Sequence, residues 1–310
     1  MRAAEQNDLD IDGIMRAGFA PFKSSWLSVL IRVGIPYFLL TLMLWGVLGW
    51  LFFQLGAPAF QAIINGEKPD PELVRRLRPL SLVVVLVIII PAALARTALF
   101  RFHAGEGLKG QFLAFRLGAA EVRQYFALWL KFLIVYALPL AVMVGAFYVA
   151  SKVDTRWIKA ILFLSGPILW FVLMVLFGVR FTLIYAQIFS GERMMFSRLW
   201  RLTRGHFWVL FLGFGVMMVL YGLVSLLISS PANMLFYAQD ASGWLGDPQI
   251  LKGMDPDDVI ALMQTTFLNG KAVIAITLLV LIQFIMDVYR LMMFSGASYY
   301  CVQKLENSQL

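Results

Sequence analysis

The chain has 310 residues, of which 61% are hydrophobic and 14% charged, with a mean hydropathy of +0.79; soluble domains carry roughly 25% charged residues. A net charge of +8 would suggest nucleic acid in a soluble protein, but in a membrane protein cations gather on cytoplasmic flanks and beside anionic lipid, so no nucleic-acid partner is expected. The single cysteine, Cys301, allows neither an internal disulfide nor a thiolate metal cluster or haem-attachment pair, and no cofactor is expected.

In chain order, the first 25 residues carry Arg2, Glu5, Asp8, Asp10, Asp12, Arg16 and Lys23. They lack the unbroken apolar core of a signal peptide, so the first membrane helix is expected to be retained. A hydrocarbon core about 30 Å thick needs about 20 helical residues. Uncharged runs of that order occur at Val33 to Phe53, Phe132 to Ser151, Ala160 to Val179 and Phe207 to Ser230. Two more, Leu80 to Phe100 and Ala272 to Tyr289, span only with Arg96 and Asp287 inside the helix or snorkelling from its end. The expectation is an all-α, polytopic membrane bundle of six transmembrane helices.

Orientation follows from the cations. With the N-terminus inside, 17 of the 26 basic residues lie in or beside cytoplasmic segments. The outer segments hold Lys68, Arg75, Arg76, Arg78, Lys152, Arg156, Lys159, Lys252 and Lys271, offset by acids. The positive-inside rule then places both termini, and the loops around Lys109 and Arg198, in the cytoplasm, with Asp154 and Trp244 outside.

A repeat emerges on comparing the segments that precede the membrane runs. RAGFAPFKSSW (Arg16 to Trp26) aligns without gaps on RLGAAEVRQYF (Arg116 to Phe126), and RLWRLTRGHF (Arg198 to Phe207) is a shorter third copy. Each places a cation, at Lys23, Arg123 or Arg204, three residues before an aromatic that begins a membrane helix. Such a segment suits a basic amphipathic helix in the headgroup layer, with its aromatic at the same depth. His206 falls at a position held by Ser25 and Tyr125 in the other copies, so the pattern demands no imidazole. The returning helices repeat too: LARTALF, GVRFTLI and VYRLMMF place Arg96, Arg180 and Arg290 near the inner end of an apolar run. The expectation is one membrane domain, 1–310, of three hairpin units at about 1–105, 106–191 and 192–310, each led by an interfacial helix.

An arginine at membrane depth costs a few kcal/mol and faces protein, water or a headgroup. Arg96, Arg180 and Arg290 either snorkel to the inner phosphates or converge on an anion, whose oxygens suit the planar guanidinium. Asp287, three residues before Arg290, is expected to pair with it. Lys23, Arg123 and Arg204 complete the candidate lipid or anion contacts.

Other patterns carry less chemistry. GEGLKG (Gly105 to Gly110) lacks the strand and GK[ST] ending of a phosphate loop and reads, like SGER (Ser190 to Arg193), as a turn. Ser165-Gly166 and Ser295-Gly296 suggest close helix packing rather than an intramembrane nucleophile, because neither His103 nor His206 falls within a following membrane helix as a base. Pro36, Pro91, Pro139 and Pro167 can kink their helices. Pro231 to Lys271 and PELVRRL (Pro71 to Leu77) suggest short surface helices capping the outer side.

With RLGAAEVRQYFALW, the GE-containing turns and RLTRGHFW in place, the chain resembles the bacterial six-span proteins related to the membrane domain of glycerophosphodiester phosphodiesterases. In two-part members of that family a separate soluble domain carries the hydrolytic histidines and metal-binding carboxylates, and this sequence contains no such domain. The resemblance implies a membrane module and argues against hydrolase activity; with the three basic interfacial segments, the expectation is a non-enzymatic inner-membrane module that associates with anionic phospholipid or a partner membrane protein. The alternative is a transporter or channel for a lipid or amphiphilic anion.

Overall fold

A computed structural model describes residues 9–64, 70–105, 115, 118–190, 196–237, 258, 261 and 270–308. It is all-α, with no strand among the described residues. The elements are α1 (Ile11–Ser24), α2 (Trp26–Val29), a π-helical turn (Leu30–Gly34), α3 (Ile35–Ile64), α4 (Pro71–Ile88), α5 (Ile90–His103), α6 (Ala119–Phe132), a second π-helical turn (Leu133–Ala137), α7 (Leu138–Lys152), α8 (Arg156–Phe181), α9 (Ile184–Phe189), α10 (Phe196–Leu202), α11 (Phe207–Tyr237) and α12 (Gly270–Asn307). Among the described residues, six stretches are long and apolar enough to cross a membrane: Trp26–Leu51, Leu86–His103, Ala119–Lys152, Arg156–Phe189, Phe207–Pro231 and Ala272–Asn307. Each overlaps one of the six expected runs.

Prolines explain where these stretches bend. Both π-turns end two residues before a proline, Pro36 in one case and Pro139 in the other. Proline has no N–H for the carbonyl four residues back and its ring crowds that carbonyl; one wider turn relieves both. Pro91 lies just beyond Ile89, the one-residue break between α4 and α5. The PELVRRL segment is thus no separate cap but the opening of α4, started by Asp70, whose carboxylate accepts from Glu72 N–H at 3.0 Å. The wider part of Pro231 to Lys271, and GEGLKG and SGER beyond their first residues, lie outside the described residues.

Chain contacts divide the molecule into two compact units. The first comprises Met1–Val33, Ala92–Met218 and Leu291–Leu310, the second Gly34–Pro91 and Val219–Arg290.

In the first unit the three lead-in segments take three different forms. α1 is amphipathic with the expected period: Ile14, Gly18 and Pro21 are buried while Asp12, Arg16 and Lys23 are exposed. Its apolar face is covered by protein. Ile14 Cδ1 lies 2.9 Å from where a Cβ on Gly213 of α11 would stand, and the Ala17 carbonyl lies 2.6 Å from the equivalent point on Gly296 of α12. Glycines at these crossings let the backbones approach. In the second copy the segment is continuous with its span, since helix runs from Ala119 to Lys152 apart from the π-turn. Its pattern is inverted: Glu121 and Gln124 are buried, Val122 and Phe126 exposed. The third copy is the two-turn helix α10, with Leu199 and Leu202 buried, followed by a turn through Gly205 at φ +87°.

α7 and α8 form a hairpin in the same unit, with Gly166 3.4 Å from Ala146 Cβ at the position of its missing Cβ and Phe147 stacked on Phe163 at 5.2 Å. Its outer surface exposes Tyr148, Trp157, Leu164 and Ile168. Apolar surface left open on this scale is stable only where lipid replaces water. The second unit brings α3 to α12 through Phe38 and Phe284, 4.5 Å between ring centroids.

Candidate functional site

Within the first unit a polar stripe runs along the inward face of α6. Glu121, Gln124 and Lys131 fall within an arc of about 80° at 100° per residue. Glu121, nearly buried, meets Arg101 of α5 in an ion pair through Arg101 Nη2 and Glu121 Oε1. Arg101 Nη1 and both carboxylate oxygens have no hydrogen-bond partner. One turn on, Gln124 Nε2 donates to the Tyr185 carbonyl of α9, tying α6 to α9, while its Oε1 stays unpartnered.

Two turns further, Tyr185 receives two cations. The Arg96 guanidinium carbon lies 4.2 Å from the ring centroid and Lys131 Nζ 5.0 Å from the same centroid. Each gains from the ring quadrupole. The two charges are thereby held within roughly 9 Å, where repulsion costs on the order of 2 kcal/mol at an effective dielectric near 20. Among the described residues no acid pairs with either. Arg96 Nη1 is buried without a hydrogen-bond partner.

Arg180 and Arg290 also face rings. Arg180 stands 3.8 Å over Trp200 of α10 and donates from Nη1 to Thr203 Oγ1 at 3.3 Å, its Nε unpartnered. Thr203 in turn donates to the Leu199 carbonyl at 3.0 Å. Arg290, in the second unit, lies 5.8 Å over Tyr221 and pairs with Asp287 at 2.9 Å, the expected partner. The three positions thus share a local task, a guanidinium against an aromatic face. Arg96 and Arg180 share no partner.

The lead-in cations are disposed differently from one another. Lys23 is exposed in the last turn of α1, and Arg204 is exposed in the turn before α11. Arg123 folds back, its Nε donating to the Ala119 carbonyl at 3.3 Å. His206 is half-buried, and its backbone closes the turn, N–H to the Thr203 carbonyl at 3.3 Å.

One juxtaposition was not foreseen. His103, at the end of α5, places Nε2 3.4 Å from Ser295 Oγ, although 192 residues separate them. Ser295 Oγ also donates to the Met292 carbonyl at 3.0 Å. The arrangement that uses both contacts has the serine accepting from Nε2–H, the reverse of what a general base requires. The imidazole stacks on Tyr299, and Gly296 gives it room. No group of three His, Cys, Asp or Glu side chains able to hold a metal occurs among the described residues.

The second unit contains a half-open cleft of about 500 Å³ between α3, α11 and α12. Its walls are largely apolar, with Trp45, Phe38 and Phe284 among them, and its polar groups are Thr41, Ser229, Gln283 and Asp287.

The sequence pointed to Arg96 and Asp287 but not to Lys131, Tyr185, Gln124 or the Arg101–Glu121 pair. The available signal was the polar stripe on an otherwise apolar helix, which the repeat had marked as a surface segment. No protein family, curated protein or solved structure matches the chain.

Proposed function

We propose that the chain is a non-enzymatic integral membrane module, of a bacterial inner membrane with both termini in the cytoplasm, that associates with anionic phospholipid or with partner membrane proteins. The observation that supports this reading is the recurrence of cations beside exposed rings where helices begin. Lys23 precedes Trp26 (51% exposed), Arg123 precedes Phe126 (59%), and Arg201 and Arg204 lie between Trp200 (44%) and Trp208 (69%). Rings at that depth sit among headgroups, and each surface cation near acidic lipid contributes on the order of 1 kcal/mol. Native mass spectrometry of the protein released from mixed phosphatidic acid and phosphatidylcholine bilayers tests it. Replacing Lys23, Arg123, Arg201 and Arg204 together by glutamine should lower the acidic-to-neutral ratio of bound lipid with the spans still inserted. An unchanged ratio removes the reading.

A second reading, carriage of a lipid or amphiphilic anion, is favoured by the half-open cleft of the second unit, whose volume and apolar walls suit an acyl chain. Liposome flux of a fluorescent lipid, blocked by a bulky replacement such as Thr41→Trp, would support it. Equal flux in empty liposomes would remove it.

A further inference from the structure

We infer that Arg96, Lys131 and Tyr185 form a binding site for a phosphate group, carried by the headgroup of an acidic phospholipid or free in solution. The inference rests on the anionic-lipid reading above and narrows it to one place within the first unit.

The argument begins with charge. Two cations from different helices, α5 and α6, share one buried ring at 4.2 and 5.0 Å. A ring quadrupole attracts each but does not neutralise either, and a membrane-embedded cation without a counter-charge is costly. The acid on the same helix face, Glu121, is occupied by Arg101. It also lies ten residues from Lys131, about 15 Å along the helix axis. Water can fill the hydrogen-bonding gap at Arg96 Nη1, which is buried and unpartnered, but water brings no charge. An anion supplies both.

Geometry narrows the anion to phosphate. A carboxylate offers its two oxygens in a single plane, fewer directions than a fork and a separate ammonium on another helix can use. A tetrahedral phosphate has oxygens directed both at the fork and at a second, separately placed point charge, the roles for which arginine and lysine respectively are suited. Arg96 and Lys131 are each only partly buried as residues. Tyr185 is held in place from behind, its carbonyl bound by Gln124.

The test uses the full-length protein in nanodiscs of phosphatidic acid and phosphatidylcholine, followed by native mass spectrometry through stepwise delipidation. One phosphatidic acid should persist after the loosely held lipids have left. Arg96→Gln and Lys131→Met should each weaken that retention roughly tenfold, and Lys131→Arg should retain it. Replacing Lys23, Arg201 and Arg204 by glutamine should leave the persistent lipid in place while changing the ratio among the loose ones. Inorganic phosphate separates the two sources. Competition by millimolar phosphate, with thermal protection in lipid-free detergent, assigns a free phosphate; persistence of the lipid without such protection assigns a headgroup. Unchanged retention in both Arg96→Gln and Lys131→Met, with no protection by phosphate, overturns the site even where the surface variant behaves as expected. An unchanged ratio in the surface variant, with the persistent lipid still dependent on Lys131, overturns the surface reading alone. Lys131→Met preserves the unbranched stem and decides the matter if Arg96→Gln does not fold.

Discussion

Glycine is where single residues have the largest structural consequence in this chain. A Cβ at Gly296 would stand 2.6 Å from the Ala17 carbonyl and 3.0 Å from His103 Cε1. Backbone cannot yield as a flexible side chain does, so Gly296→Val should lower stability by about 1–3 kcal/mol, as overpacking does. The loss should appear as earlier thermal unfolding in detergent, whereas Gly222→Ala, with open space around it, should unfold like the parent. Gly205 acts through conformation instead. Its φ of +87° is left-handed backbone, and Gly205→Ala should cost about 1–2 kcal/mol in the same assay. The sequence marked Ser295-Gly296 as a packing position, and the structure supplies what it packs against. It could not reveal His103 there, because no local pattern links residues 192 positions apart.

At the scale of elements, the Arg101–Glu121 pair joins α5 to α6 at side-chain exposures of 16% and 4%. Removing one member of a buried pair strands the other charge, while removing both together often costs little. Glu121→Leu should therefore destabilise by about 3 kcal/mol, and Arg101→Met combined with Glu121→Leu should recover most of that loss. A double-mutant cycle on detergent unfolding midpoints checks this; equal loss in the single and double variants would mean the pair does not join the helices. The lead-in pattern at Arg16 to Trp26 anticipated an amphipathic helix, and in α1 Ile14, Gly18 and Pro21 bury one face. The same reasoning misjudged α6, because inside a bilayer the apolar side of a helix faces outward and the polar side inward. Phe126 and Val122 therefore look out while Glu121 and Gln124 look in.

At the scale of the whole molecule, the distribution of cations predicts topology. With Cys301, which is buried, replaced by alanine, a cysteine at Asp154 should react with an impermeant maleimide from outside intact cells. A cysteine at Lys304 should react only after the membrane is opened. The reverse pattern would invert the orientation. The two compact units are each gathered from separated stretches of chain.

Composition and run length were enough to anticipate the all-α fold and the six helices able to cross a membrane among the described residues, because span length is set by bilayer thickness and hydropathy is a local property of the chain. The recurrence of Arg96, Arg180 and Arg290 was likewise legible, since it is a matter of spacing. What each arginine faces was not. Tyr185, Trp200 and Tyr221 come to those guanidinium groups from other helices, and helices in lipid choose neighbours by side-chain fit and polar contact, not by a hydrophobic pattern written along one segment. Lys131 shows the difference most plainly: in sequence it is a cation flanking a span, and only the approach of α9 to α6 sets it beside Arg96 on a single ring.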